Sequence, residues 1–375
     1  LKEFDIKSKI SNDQKKMNFK ELEFKDYIKN FKNKIIFKNN DINLNINKDK
    51  IKIELNSNFA LNKNNKFKNI LINYSKNNSE ETYKLDMDLS EIHLKLEELS
   101  FDKNIKDELF LNFELVKYEN NYELNKFKLF NKENVFNLEN IKFNQNRKIN
   151  DFHLIKLNYF NKDGFMNDLL ITKKNNIIYL NSEKFDISSN IEKSLRNSNN
   201  TNILNYFYDL NSRIKIDVKS ARLDNDHNLK NLIGNIIIKN NKADKINLNA
   251  NFNHSNKFIY TKNDLNGKKV TTIYSDIAKP FVKKFKFIKG FEDGRLDFTS
   301  TEINDDQSKS ELRIYDFKLK DMPALTKLLS LSSLQGIADL ATGEGIRFNE
   351  FDMFYDSSKN LITINEIYVL GPAIS

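Results

Sequence analysis

The sequence predicts a mainly β protein: an elongated antiparallel array of strands, with a few short amphipathic helices. Three observations predict it. Apolar residues alternate with Lys, Asn, Asp and Glu at a two-residue period through most of the chain, as in strands with one buried and one wet face. The strands are short and separated by polar turns, without the helical stretches that a βαβ order would place between them. Similar strands recur without an exact repeat, which favours an array over a globule with a unique centre. With 39% hydrophobic and 30% charged residues over 375 positions, the chain has enough apolar material for a large folded unit.

The elements follow in order. Ile42, Leu44 and Ile46 alternate with polar residues, Asn47-Lys48-Asp49-Lys50 turns the chain, and Ile51, Ile53 and Leu55 resume the beat as a hairpin. The same beat returns in Tyr83, Leu85, Met87 and Leu89, in Ile92, Leu94 and Leu96, and in Leu109, Leu111, Phe113 and Leu115. It continues near 122–130, 136–143, 154–159 and 171–180. Ser189 to Leu195 reads as a short helix, followed by an asparagine-rich gap at Asn197 to Asn202, where the sequence places a soft boundary. Beyond it, Ile214, Ile216 and Val218 form a clean strand, then come 232–238, 246–252 and 258–260. With only 9 Gly and 3 Pro, the turns rely on Asn, Asp and Lys.

Two segments break the strand period. Asp276 to Phe287 carries Ile277, Phe281, Val282 and Phe285 near helical spacing, with Asp276 as candidate N-cap and a stop before Gly290. Met322 to Leu340 has Asp321 as cap, Pro323 in the first turn and Leu325, Leu328 and Leu329 on one stripe, with Ser332-Ser333 as a candidate division.

Motifs for chemistry are sparse. Without cysteine there is no disulfide, thiolate metal ligand or thiol nucleophile. His93, His153, His227 and His254 stand singly in strands or turns. Asp224-Asn225-Asp226-His227-Asn228 imitates the start of a calcium loop, but Leu229 stands at the glycine position and Asn235 at the glutamate position, so a polar hairpin turn is the better reading. Gly343-Glu344-Gly345 follows a helix and precedes a strand, the reverse of a dinucleotide-binding loop, and reads as a helix stop. Asp86 and Asp88 flank Met87 on a solvent face. The net charge of +9 is dispersed along polar strand faces, which points away from a nucleic-acid partner. Lys283-Lys284-Phe285-Lys286-Phe287-Ile288-Lys289 is the densest basic cluster; its simpler reading is phenylalanines on the sheet with lysines in water, its alternative an anionic headgroup contact. No cofactor and no metal are expected.

From Glu311 to Ile374 the order is strand, Asp321-Met322-Pro323 helix, glycine turn Gly343-Glu344-Gly345, then strands ending in Gly371-Pro372-Ala373-Ile374. This order resembles the C-terminal region of the AsmA-like family, the YhdP and TamB type of envelope protein. Ser275 to Phe298, with Gly290 and Gly294-Arg295-Leu296, resembles the part before it, although Phe291 stands where the family usually has a second glycine. The resemblance implies a variable β-groove segment over 1–190 and an AsmA-like C-terminal region over 191–375, cut short at its end. It implies a twisted β-sheet curled into a hydrophobic groove, a periplasmic protein anchored to the inner membrane by a segment outside this stretch, and a role in outer membrane biogenesis. Leu1 in place of Met and an end at Ser375 just after a strand agree with an excerpt of something longer.

The expected function is non-enzymatic lipid transport. Phospholipid acyl chains would lie against Ile42, Leu44, Ile51, Ile53, Leu85, Met87, Ile214, Ile216, Val218, Ile236, Ile238 and Leu248, each of which serves equally as ordinary core. The expected partners are phospholipids, the inner and outer membranes and envelope-assembly proteins. A scaffold whose sheet is filled by its own side chains is the first rival. A carbohydrate hydrolase is the second, and it would need a carboxylate pair in a cleft.

Overall fold

The computed structural model describes residues 9–11, 14–24, 35–47, 50–61, 66–188, 203–253, 255–282, 290–304, 306–320, 342, 345–358 and 361–372. The expected helices Ser189 to Leu195 and Met322 to Leu340, the cluster Lys283 to Lys289, His254, Gly343-Glu344 and Ala373-Ile374 lie outside the described residues. The chain divides into two compact units, Leu1–Lys174 with Tyr206–Tyr208, and Asn175–Asn205 with Asp209–Ser375.

The first unit holds β1 (Lys9–Ser11), β2 (Gln14–Phe24), β3 (Ile35–Asn47), β4 (Lys50–Leu61), β5 (Lys68–Asn77), β6 (Glu80–Asp88), β7 (Leu94–Leu96), β8 (Phe101–Lys103), β9 (Phe110–Lys117), β10 (Tyr122–Phe130), β11 (Val135–Phe143), β12 (Ile149–Asp151), β13 (Leu154–Phe160) and β14 (Met166–Lys174). Strands β1 to β6 pair antiparallel with their chain neighbours, β6 pairs with β9, and the order continues through β10, β11, β13 and β14. β7 and β8 form a separate small hairpin inserted between β6 and β9.

The second unit holds β15 (Ile177–Asp186), β16 (Ser212–Arg222), β17 (Asn228–Lys239), β18 (Lys242–Asn251), β19 (Lys257–Leu265), β20 (Lys268–Ser275), β21 (Phe291–Asn304), β22 (Gln307–Leu319), β23 (Ile346–Ser358) and β24 (Leu361–Leu370). From β16 onward each strand pairs antiparallel with the next. One pairing departs from the antiparallel expectation: β15 and β16 run parallel. A parallel pair needs a crossover rather than a tight turn, and residues 187–211 between the two strands supply it.

Asparagine does the work that glycine usually does in the turns. Asn240 and Asn241 both adopt positive φ, 47° and 61°, between the paired ends Lys239 and Lys242, and Asn266 with Gly267 does so at 54° and 79° between Leu265 and Lys268. Two consecutive left-handed residues make the type I′ turn whose twist matches a hairpin.

Three local expectations are corrected. Ile92 lies in a turn, its N–H donating to Leu89 at 3.0 Å, and Leu109 precedes β9 rather than sitting in it. The described part of the Asp276 to Phe287 helix is one turn, Lys279–Val282, and Asp276 does not cap it. Its carboxylate instead accepts the N–H of Lys257 at 2.7 Å and the hydroxyl of Tyr274, while the turn closes on the Ala278 carbonyl.

Candidate functional site

Residues opposite each other on antiparallel strands point to the same face, so register alone shows which side chains line up across a sheet. In the first unit one apolar row crosses β3, β4, β5, β6, β9, β10, β11, β13 and β14 without a break: Ile42, Leu55, Ile72, Leu85, Phe113, Phe127, Leu138, Ile155 and Ile171. Every member is half-buried. Strands lie about 4.8 Å apart, so nine strands carry this row over roughly 38 Å.

Two further rows flank it on the same face. On one side run Leu44, Ile53, Tyr74, Tyr83, Leu115, Leu124 and Ile141. On the other run Ile70, Met87, Leu111, Leu129, Phe136, Leu157 and Leu169. The opposite face is polar, with the ion pair Lys84–Glu114 at 3.1 Å and hydrogen bonds from Asn137 to Glu139 at 2.8 Å and from Asn158 to Asp168 at 2.9 Å. Asp86 on that face accepts from Asn112, and Asp88 is taken up by the Ser90 N–H at 2.9 Å and by Lys68 at 3.6 Å.

The two margins of the apolar face differ. At one, the β7–β8 hairpin folds Phe101 onto Phe136 and Tyr159, with ring centroids 4.9 and 6.1 Å away. Lys103 anchors this flap: its buried ammonium donates to the carbonyls of Leu89, Ser90 and Ile92 at 3.2, 2.9 and 2.9 Å, and burial pulls its pKa down. At the other margin stand tyrosines. Tyr74 and Tyr83 pack 5.1 Å apart, and the Tyr83 hydroxyl donates to Glu81 at 2.6 Å. That bond, with Lys117 at 3.2 Å and Lys76 at 3.9 Å, holds the Glu81 carboxyl below its ordinary range, while burial and Glu81 push the Tyr83 hydroxyl far up.

Of the twelve expected lipid-facing residues, Ile42, Leu44, Ile51, Ile53, Leu85 and Met87 share this face, and all six are half-buried. The other six share one face of the second unit, whose longest row runs Leu180, Ile216, Gly234, Leu248, Tyr260, Ile273, Phe298, Leu312, Met353 and Ile367. Here part of the row is covered: Leu248, Ile273, Phe298, Leu312 and Met353 are buried. Val218, Ile238 and Leu248 are buried, while Ile214, Ile216 and Ile236 remain half-buried. Phe281 of the helical turn stacks on Phe258 at 5.5 Å, and Phe317 stacks between Phe291 and Phe348 at 5.2 and 5.1 Å. Leu55, Ile72, Phe113, Phe127, Leu138, Ile155 and Ile171 escaped the sequence reading as site residues. They carry the same alternation, but only the register aligns them.

The second unit also has a polar cleft of about 550 Å³ lined by His227, Asp276, Lys279, Glu292, Asp293, Arg295 and Asp316. Asp276 is engaged as above, and Glu292 pairs with Lys279. Asp224, Asp226 and His227 bring one ligand atom each within 4.8 Å of one another. The Asp224 carboxylate is committed to the turn, accepting the N–H groups of Asp226 and His227 at 2.9 and 2.8 Å and the His227 ring at 2.8 Å. Among the described residues no helix is long and apolar enough to cross a membrane.

Comparison of the chain with protein-family models, with curated proteins and with solved structures finds no match.

Proposed function

We propose that this chain is a lipid-transfer segment without catalytic chemistry, holding phospholipid acyl chains against the apolar face of the first unit. The observation that carries the reading is the unbroken row from Ile42 to Ile171, half-buried at every position. A core row in a closed sheet protein would be covered; this one keeps contact with solvent along roughly 38 Å, more than the ~30 Å hydrocarbon thickness of a bilayer and so about two acyl chains end to end. At about 0.8 kcal/mol per buried CH₂, two sixteen-carbon tails left in water cost on the order of 25 kcal/mol. An apolar track removes most of that barrier by burial alone.

The AsmA-like resemblance supplies the setting: the periplasm, an inner-membrane anchor elsewhere in the protein, and movement of phospholipid between inner and outer membranes. Co-purifying lipid, read by native mass spectrometry and extraction, tests the binding. Leu85→Asp with Phe113→Asp, facing one another across β6 and β9, abolishes uptake of labelled phospholipid with the far-UV spectrum unchanged, whereas Leu71→Asp on the polar face leaves it intact. A folded wild-type chain that is lipid-free and takes up no phospholipid overturns the reading. The close packing of the second unit would then favour the scaffold.

A further inference from the structure

The tyrosine margin of the first unit's apolar face ends in a charged row. Two residues beyond Tyr74, Tyr83 and Leu115, and therefore on the same face, stand Lys76, Glu81 and Lys117, aligned by register across β5, β6 and β9. The row is apolar or aromatic on both sides of them, with Ile46 and Ile51 on β3 and β4 and Tyr122 and Phe143 on β10 and β11. Both ammoniums converge on a single oxygen, Oε1 of Glu81, at 3.9 Å from Lys76 and 3.2 Å from Lys117, while Oε2 accepts the Tyr83 hydroxyl at 2.6 Å. The carboxylate is therefore taken up, its side chain only 18% exposed, whereas the two lysine side chains are 42% and 36% exposed. An ammonium has three donors, so each lysine keeps donors for a second acceptor. The triad as a whole carries one net positive charge.

We propose that Lys76 and Lys117 are the headgroup site of the lipid track and bind the phosphodiester of a glycerophospholipid, with Glu81 as the positioning residue that holds the two ammoniums together. Resting on the lipid-transfer reading of this face, the site fixes the class of lipid it takes. A phosphodiester has one negative charge shared by two oxygens, so it matches the net charge of the triad and offers each ammonium a charge-assisted hydrogen bond. The spacing suits a lipid. Glu81 and Leu85 are four residues apart, about 13 Å along the strand, and one leaflet's share of the ~30 Å hydrocarbon layer is about 15 Å. A phosphate on the lysines therefore leaves its acyl chains on the row through Leu85. Between the two lie the Tyr74 and Tyr83 rings. With an apolar body and a polar tip, tyrosine is the residue type that settles at the boundary between headgroups and tails in a membrane.

The delipidated whole chain is offered an equimolar mixture of dioctanoylphosphatidylethanolamine and dioctanoylglycerol, which share their tails and differ in the phosphate headgroup, and bound lipid is read by native mass spectrometry and extraction. The phospholipid is expected to be retained over the diacylglycerol by about tenfold or more. Lys76→Gln with Lys117→Gln brings the ratio close to one and leaves diacylglycerol uptake as it was, whereas Lys84→Gln on the polar face keeps the preference. Glycerophosphoethanolamine, the headgroup without tails, does not displace the bound phospholipid at equal concentration. Equal retention of the two lipids by the wild-type chain overturns the headgroup site while leaving the apolar track standing, and this arm needs no variant to fold. A preference that survives both lysine substitutions, or displacement by the tailless headgroup, overturns the site too. A chain that binds neither lipid overturns the lipid-transfer reading itself, and the headgroup site with it.

Discussion

Gly234 stands in the middle of the second unit's apolar row, where a side chain would be expected. Its φ is 150°, and a Cβ there would come within 1.9 Å of the Asn247 carbonyl oxygen. The missing side chain lets β17 and β18 approach next to the register shift between Lys230 and Ile233. Gly234→Ala is therefore expected to lower stability by more than about 2 kcal/mol, read as a fall in the urea midpoint at unchanged slope. Residue-scale burial also separates two superficially equal aspartate substitutions. Val218 is 1% exposed, so Val218→Asp buries an unpaired charge and unfolds the second unit; Leu85→Asp meets solvent and spares the fold. Thermal melts of the two variants, run side by side, check the contrast. For that reason Leu85 of the first unit, not Val218, is where charge tests lipid binding.

At the scale of elements, the flap and the tyrosine margin make separable predictions. Phe101→Ala removes the ring that holds β7–β8 on Phe136 and Tyr159, at a cost of about 3–5 kcal/mol if the site does not collapse. Hydrogen exchange should rise first at 94–103 and leave β3 to β5 unchanged. The Glu81 carboxyl is ionised more readily in the folded chain than in the unfolded one, so its contribution is present above the unfolded pKa and lost as pH falls through the lower folded value. Glu81→Gln is expected to melt lower than wild type at neutral pH and to close that gap on acidification below about pH 4. A gap independent of pH would detach Glu81 from Tyr83 and Lys117. These elements also show what the sequence could disclose. The hairpin from Ile42 to Leu55 was legible because alternation and turn chemistry are local. The flap was not, since Leu94, Leu96 and Phe101 carry the same alternation as strands of the main sheet, and nothing local tells a three-residue strand which sheet to join. Nor was the parallel β15–β16 pair, whose direction depends on the crossover, or the loss of Asp276 as a cap to a rival bond from Lys257.

At the scale of the whole molecule, the face of each unit was readable and its covering was not. Alternation places Leu85 and Val218 on apolar faces with equal force, yet the row through Leu85 is half-buried at every position while Val218 is buried in a core that includes the stacked rings Phe258–Phe281 and Phe291–Phe317–Phe348. That difference decides how the chain should respond to lipid. A ligand that binds only the native state stabilises it by RT ln(1 + [L]/Kd), about 2.7 kcal/mol at one hundred times Kd. If acyl chains settle on the open face, phospholipid added to delipidated protein raises the melting temperature, and hydrogen exchange slows at the row from Leu55 to Ile155. The core strands β21 to β23 should change little, because Leu296, Leu312 and Met353 are fully buried without it. Protection confined to the second unit would move the lipid site there; equal protection everywhere would point to detergent-like coating instead of a track. Soluble headgroup analogues without tails should produce neither effect, since the open row offers apolar carbon and no charge.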